Sequence, residues 1–333
     1  MKLLSLFSGI GAFEMALRNI GINYELVNYC EIDNYASKSY CELYNVDEGL
    51  NLWDITKINI ENLPKNIDMI THGSPCQDFS SAGLGKGGDE YSNTRSSLMW
   101  NTVEIVKHCK PKYVIWENVK NVLSKNHKHN FDKYLKELEY LGYTNYWKVL
   151  NSKDFGVPQF RERIFVVSIL NNVEKYEFPQ GTKLTKCIKD ILEDKCDEKY
   201  YIKNCFINNF IPKQNYNQDY EIKKEKPIEV GYIKKSENGK KHQSNTVYNP
   251  YGLCGALFAQ EYKSPRMFLL EHNENVIIKR LTPLECWRLQ GFSDEDYKKV
   301  KSIKISNTQL YKQAGNSITV TVLEAIFKNL FLK

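Results

Sequence analysis

Through its first half this chain alternates short apolar runs with stretches of helical period, and few folds accommodate that pattern. Leu3 to Phe7 reads as a buried strand, after which Phe13, Ala16, Leu17 and Ile20 recur at i, i+3, i+4 and i+7. A strand is expected over Tyr24 to Cys30 and a helix over Asn34 to Tyr44. Another strand should end near Thr71, followed by a helix carrying Leu98, Thr102, Ile105 and Val106 on one face. Tyr113 to Glu117 and Asn145 to Leu150 are further strands, separated by a helix with Phe131, Tyr134, Leu135 and Leu138 inward. Strands that alternate with helices predict a mostly parallel sheet covered on both faces. In such sheets, functional side chains gather outside the carboxyl ends of the strands.

The alternation fails after about Asn171. From there to about Ile278 the chain is lysine-rich and irregular, with no convincing long helix. Helical period returns at Val320, Leu323, Ile326, Phe327 and Leu330, in a helix that Gln313-Ala314-Gly315-Asn316-Ser317 is expected to open. The 333 residues thus divide into an α/β domain over 1–180, a smaller irregular domain over 181–280, and a hinge with a returning C-terminal helix over 281–333. Net charge is +6, but Lys195 to His242 alone holds eleven lysines, no arginine and seven acids. That imbalance suits a surface that neutralises phosphates, although a solvated lysine face has the same composition.

Other classes are excluded. No run reaches the ~18 apolar residues of a membrane span. The N-terminal run is broken at once by Ser8-Gly9 with no cleavage site after it, so a first strand is expected rather than a signal peptide. Nine cysteines without a C-x-x-C pair indicate reduced thiols of a cytoplasmic protein, not a disulfide framework or zinc site. The six histidines form no ligand cluster, and no metal is expected.

Three segments carry chemistry. Gly73-Ser74-Pro75-Cys76-Gln77-Asp78-Phe79-Ser80 follows the apolar run at Ile67 to Ile70. Glu117-Asn118-Val119 closes the Tyr113 strand, and Gln159-Phe160-Arg161-Glu162-Arg163 leads into the run Ile164 to Ile169. Singly, each has a plain reading: a small buried apolar cysteine, an acid at a strand end, arginines in surface ion pairs. Together they supply a thiol, a carboxylate and two guanidiniums at strand ends, a set able to attack and polarise an electron-poor ring. A cofactor turn is read at Phe7-Ser8-Gly9-Ile10-Gly11, with Glu31 twenty residues past Gly11 placed to bond ribose hydroxyls. Glu14 stands where a dinucleotide fingerprint has its third glycine, which suits a cofactor without a pyrophosphate. Asp54-Ile55 could hold and pack an adenine ring.

These segments, in this order, resemble the DNA cytosine-5 methyltransferases of prokaryotic and phage type, over about residues 3–170 and 243–330. The resemblance implies a Rossmann-like S-adenosylmethionine-dependent methyltransferase domain with an inserted target-recognition domain. It implies Cys76 as nucleophile, Glu117 and Arg163 on the target cytosine, and Arg161 in support. For S-adenosylmethionine it implies Phe7, Ser8, Gly9, Ile10, Gly11, Glu31, Ile32, Asp54, Ile55, Pro75, Leu98, Asn316, Ser317 and Ile318. For DNA it implies Gln77, Ser80, Gln243, Tyr248, Ala256 and Leu257, with Gln243 entering the space left by a flipped base. The partners it implies are double-stranded DNA and a companion restriction endonuclease, for a monomeric enzyme. Two alternatives stay open: a tRNA cytosine-5 methyltransferase, whose Cys-Phe-Thr tripeptide is absent here, and a catalytically idle DNA-binding relative.

Overall fold

In the computed structural model the described residues are 1–75, 87–90, 92, 94–202, 209–213, 226–234, 239–272 and 275–332. They form two compact units, one of residues 1–150, 162–180 and 322–333, the other of residues 151–161 and 181–321.

The first unit is built on β1 (Lys2–Leu6), β2 (Glu25–Cys30), β3 (Met69–His72), β4 (Tyr113–Val119), β5 (Tyr143–Asn151) and, after a short β6 (Gln159–Phe160) that belongs to the other unit, β7 (Glu162–Leu170). The strands lie in the order β2-β1-β3-β4-β7-β5. β1 is parallel to β2 and β3, and β3 is parallel to β4. The apolar runs at Leu3, Leu4, Met69, Ile70, Val114 and Ile115 are almost wholly buried, as central strands covered on both faces require. Helices α1 (Ala12–Asn19), α2 (Asn34–Tyr44), α3 (Met99–Cys109) and α4 (Lys128–Tyr140) connect them. α2 spans the residues expected. Asp33 caps it by accepting from Tyr35 N and Ala36 N, both at 3.0 Å, and left-handed Asn45 ends it.

The sheet departs from a parallel pattern at β7, which runs antiparallel to β4 with Val119 opposite Arg163 and Glu117 opposite Phe165. This reversal places the start of β7 beside the end of β4.

Beneath that end lies His72, fully buried, bonded through Nε2 to the Tyr134 hydroxyl at 2.9 Å and stacked on Trp116. Burial pushes its pKa down to about 3 from 6.5. The unfolded chain therefore takes up this proton first as the pH falls. His72 contributes fully above pH 6.5, and its contribution is lost progressively on acidification toward pH 3. Between pH 7 and pH 4, wild-type protein should lose roughly 2–3 kcal/mol through this residue. Urea titrations of wild type and His72→Gln should show a correspondingly shallower acid decline in the variant; equal declines would remove His72 as the cause.

The second unit is more regular than the irregular composition of 171–278 suggests. A sheet in the order β13-β12-β10-β9-β8 is made by β8 (Phe210–Pro212), β9 (Glu229–Ile233), β10 (Thr246–Tyr248), β12 (Met267–His272) and β13 (Asn275–Arg280). A two-residue β11 (Cys254–Gly255) pairs in parallel with β6. Strands of three to six residues leave too short a pattern to be read in a lysine-rich sequence. Their inward side chains, Val230, Ile233, Val247, Met267, Leu269 and Ile278, nevertheless form one core with Ile202.

Helices α5 (Pro283–Leu289), α6 (Asp294–Ser302) and α7 (Asn307–Asn316) follow. α5 starts at a capping box in which Thr282 and Glu285 satisfy each other's backbone N–H groups. One expectation is corrected here. Gln313 to Ser317 does not open the returning helix; it ends α7, with Ser317 extended at the C-cap. The returning helix α8 (Val320–Phe331) begins three residues later, and its residues from Val322 onward belong to the first unit. No helix of the described residues is long and apolar enough to cross a membrane.

Candidate active site

Because β3 and β4 are parallel and in register at His72 and Trp116, the chain leaving β3 passes the end of β4. Three hydrogen bonds fix that passage. Trp116 Nε1 donates to Ser74 Oγ at 3.0 Å, and Asn118 Nδ2 donates to Ser74 O at 3.1 Å and Ser74 Oγ at 3.3 Å. All three residues are buried, where such bonds are costly to leave unmade. Ser74 precedes Cys76 by two positions. Cys76, Gln77 and Ser80 themselves lie outside the described residues.

On the same edge, Glu117 and Arg163 are diagonal neighbours across the antiparallel β4–β7 pair, within reach of long side chains. Arg163 Nε lies 3.1 Å from Glu117 Oε1, with the two side chains only 18% and 11% exposed. Arg163 Nη1 donates to the Glu162 carbonyl at 2.8 Å, which orients the guanidinium. A carboxylate held against a guanidinium here presents an acceptor beside a donor, the pattern that reads one edge of a heterocycle.

The cofactor turn is left-handed at three positions, freely so at its glycines and with strain at Phe7. Phe7, Gly9 and Gly11 all have positive φ, at 52°, 57° and 78°. A Cβ on Gly9 would meet nothing within 4 Å, so a ligand can approach this backbone closely. Glu31 closes the arrangement: its Oε2 accepts from Gly9 N at 2.8 Å and its Oε1 from Asp33 N at 2.7 Å. Two carboxylate oxygens offer about four acceptor sites, which leaves capacity for ribose hydroxyls. Ile32 beside it is 71% exposed, an apolar face open to a ring. These residues fit S-adenosylmethionine.

Asn51 went unnoticed in the sequence. Its side chain accepts from Glu31 N at 3.0 Å and Trp53 N at 2.8 Å and donates to Glu31 O at 3.0 Å. It thereby pins the acid to the neighbouring Trp53-Asp54 turn, where Trp53 has φ 58° and is 39% exposed. A lone asparagine between strands carries no pattern that marks such a role. Asp54 caps its own turn, accepting from Thr56 N at 3.0 Å and Thr56 Oγ1 at 2.7 Å, bonds that lower its pKa. Ile55 points into the apolar core, joined by the partly buried Phe7 and Leu98; Ser8 and Ile10 are buried and Pro75 is partly so.

The remaining expected residues belong to the second unit. Arg161 is 3% exposed, and its guanidinium donates to three backbone carbonyls, Leu257 O at 2.9 Å, Ser317 O at 2.8 Å and Gly315 O at 3.3 Å. It organises Leu257 and the Asn316-Ser317-Ile318 turn from within the unit. Gln159 does the same, donating to Leu289 O at 2.8 Å and accepting from Leu257 N at 3.0 Å. Leu257 and Tyr248 are buried, so their side chains face the interior; Gln243 is exposed and Ala256 partly so.

Comparison with known proteins matches this architecture. The family model described as C-5 cytosine-specific DNA methylase covers residues 1–332. The chain is 41% identical to the type II methyltransferase M2.ScrFI of Lactococcus lactis subsp. cremoris, over 95% of this chain and 81% of that protein. It is 34% identical to the orphan methyltransferase M.SPRI of Bacillus phage SPR, over 99% and 97% respectively. Among solved structures, the Entamoeba histolytica methyltransferase EhMeth superposes with a TM-score of 0.75 over 100% of this chain and 99% of that one, at 18% identity. The S. pombe Dnmt2 methyltransferase gives 0.71 over 100% and 98%, also at 18%. With the whole chain covered by the family model and by relatives above a third identical, this protein belongs to the C-5 cytosine-specific DNA methylases, enzymes that methylate cytosine in DNA.

Proposed function

We propose that the chain transfers a methyl group from S-adenosylmethionine to C5 of a cytosine flipped out of duplex DNA, through a covalent bond between Cys76 and C6. The observation that carries the reading is the buried Ser74–Trp116–Asn118 network, which ties the approach to Cys76 to the strand end bearing Glu117. Cytosine C5 is too weak a nucleophile by itself. Addition of the Cys76 thiolate at C6 makes the ring an enamine with a reactive C5. Glu117 bonds N3 and the exocyclic amine, and Arg163 bonds O2, stabilising charge as it develops. Once C5 carries the methyl group, its proton passes to water as the C6–sulfur bond breaks, which restores aromaticity and frees the Cys76 thiolate. Bound at the Phe7 to Gly11 turn and Glu31, with Asp54, Ile55, Pro75, Leu98 and Asn316 to Ile318 as further contacts, S-adenosylmethionine supplies an activated methyl group. A base within a duplex cannot reach such a site, hence the flip. In this reading 1–180 is the catalytic domain, 181–280 recognises the target, and 281–333 completes the catalytic domain. The protein works as a monomer and shields its site from a companion endonuclease.

The test is transfer of labelled methyl from S-adenosylmethionine to duplex DNA and, separately, to tRNA. Label in duplex DNA, mapped by bisulfite sequencing to one cytosine context, is expected; label in tRNA alone, or in neither, would overturn the proposal. A finer check concerns Glu31. Glu31→Ala should weaken S-adenosylmethionine by about 1.5–3 kcal/mol, the worth of hydrogen bonds to a charged group. Calorimetry showing unchanged affinity would take Glu31 out of the site.

A further inference from the structure

Of the residues read above as facing DNA, Gln243, Tyr248 and Ala256 adjoin one side chain outside every motif. Arg266, immediately before β12, is 6% exposed. With the Gln243 amide oriented to satisfy its neighbours, its oxygen accepts from Arg266 Nη1 at 2.8 Å and Nη2 at 3.0 Å. Arg266 Nη2 also donates to the Ala256 carbonyl at 2.9 Å. Burial pushes the Tyr248 hydroxyl's pKa up, and the neighbouring Arg266 charge opposes that rise; the Phe258 ring centroid lies 5.3 Å from the Arg266 Cζ. Glu261 anchors the arrangement: its Oε1 lies 3.4 Å from Arg266 Nε and accepts from Arg266 N at 3.0 Å, while its Oε2 accepts from Phe258 N at 3.4 Å.

A planar guanidinium with five donors can serve these partners at once; a lysine ammonium, with three donors and no plane, cannot. Gln243 is exposed and Phe258 is 43% exposed, so the guanidinium lies beneath a surface that it organises. The floor beneath Phe258 is equally tight. A Cβ on Gly315 would sit 2.1 Å from the Phe258 carbonyl oxygen, so this loop rests directly on α7.

We propose that Arg266 is a positioning residue for sequence discrimination, holding Gln243 and the 256–258 loop in one arrangement against DNA, with the buried Tyr248 beside it. The proposal rests on the reading of Gln243 to Leu257 as the DNA-facing segment. Arg266 does not touch the reacting atoms, so its loss should act on DNA recognition rather than on the chemical step. Removing it alone would leave Glu261 as a buried unpaired carboxylate, and the test therefore uses Arg266→Met combined with Glu261→Gln.

In the full-length protein this double variant should raise KM for the bisulfite-mapped duplex by about tenfold. It should lower discrimination against single-substitution sites by about tenfold, within the range that one base contact contributes. The turnover number should change by less than about threefold. Arg266→Lys should recover part of the KM. Affinity for S-adenosylhomocysteine should match wild type, and a parallel fall in that affinity, KM and kcat would mean a general folding role and overturn the proposal. Unchanged KM and discrimination would also overturn it. Gln243→Ala separates the two levels: if that variant too is unaffected, the DNA-facing reading fails; if it loses discrimination while the Arg266 variants do not, only the positioning role fails.

Discussion

Cys76→Ser should abolish methyl transfer while leaving affinity for S-adenosylmethionine unchanged. The proposed chemistry asks the side chain to add to C6 of a neutral aromatic ring. A thiol is partly ionised near neutral pH and intrinsically nucleophilic in a way an alcohol is not. The approach to residue 76 is held at Ser74 by Trp116 and Asn118, contacts the substitution does not touch, so lost activity would report chemistry rather than unfolding. Duplex DNA carrying 5-fluorocytosine at the mapped site should trap a covalent adduct that mass spectrometry locates at Cys76, because fluorine cannot leave as a proton does. Substantial turnover by the serine variant would sink the covalent route.

The second large effect is expected at Glu117. Glu117→Gln preserves shape but removes the charge that faces Arg163 at 3.1 Å and the carboxyl proposed to accept from the cytosine amine and to share a proton with N3. The turnover number should fall about 10²–10³-fold, the range seen when one preorganised group loses its place opposite developing charge. A KM for S-adenosylmethionine near that of wild type is expected, since the carboxylate has no place in the cofactor turn. Glutamine also leaves the Arg163 guanidinium half-buried beside a neutral amide. Arg163→Lys should therefore show a milder defect, because a lysine keeps the charge while losing the fork. A glutamine variant with near wild-type turnover would remove Glu117 from the reacting base.

The first half of the fold was legible because its strands and helices are long enough to show their periods. β1 holds the expected strand from Leu3 as far as Leu6, β4 contains the expected Tyr113 to Glu117 and runs on to Val119, and α2 spans the expected Asn34–Tyr44. The strands of the second unit were not legible, since β8 and β10 have three residues each and β11 two, too few for an alternation to stand out. Motifs, by contrast, name residue types without naming their surroundings. Arg161 and Arg163 are two positions apart in one motif. Yet Arg163 pairs with Glu117, whereas Arg161 is enclosed by three backbone carbonyls of the second unit.

What the sequence determined by itself is the order of elements in the first half and which side chains are candidates for the chemistry. Both follow from local burial and from which atoms can perform the chemistry. Only the tertiary structure decided that β7 turns antiparallel and brings Arg163 to Glu117. Only there do Asn51 and Arg266, silent in the sequence, and Ser74, named there only as a neighbour of Cys76, become residues that hold others in place. The physical reason is that a hydrophobic period reports which face of a segment is buried. Strand direction and buried polar partners are settled by contacts between residues far apart in the chain.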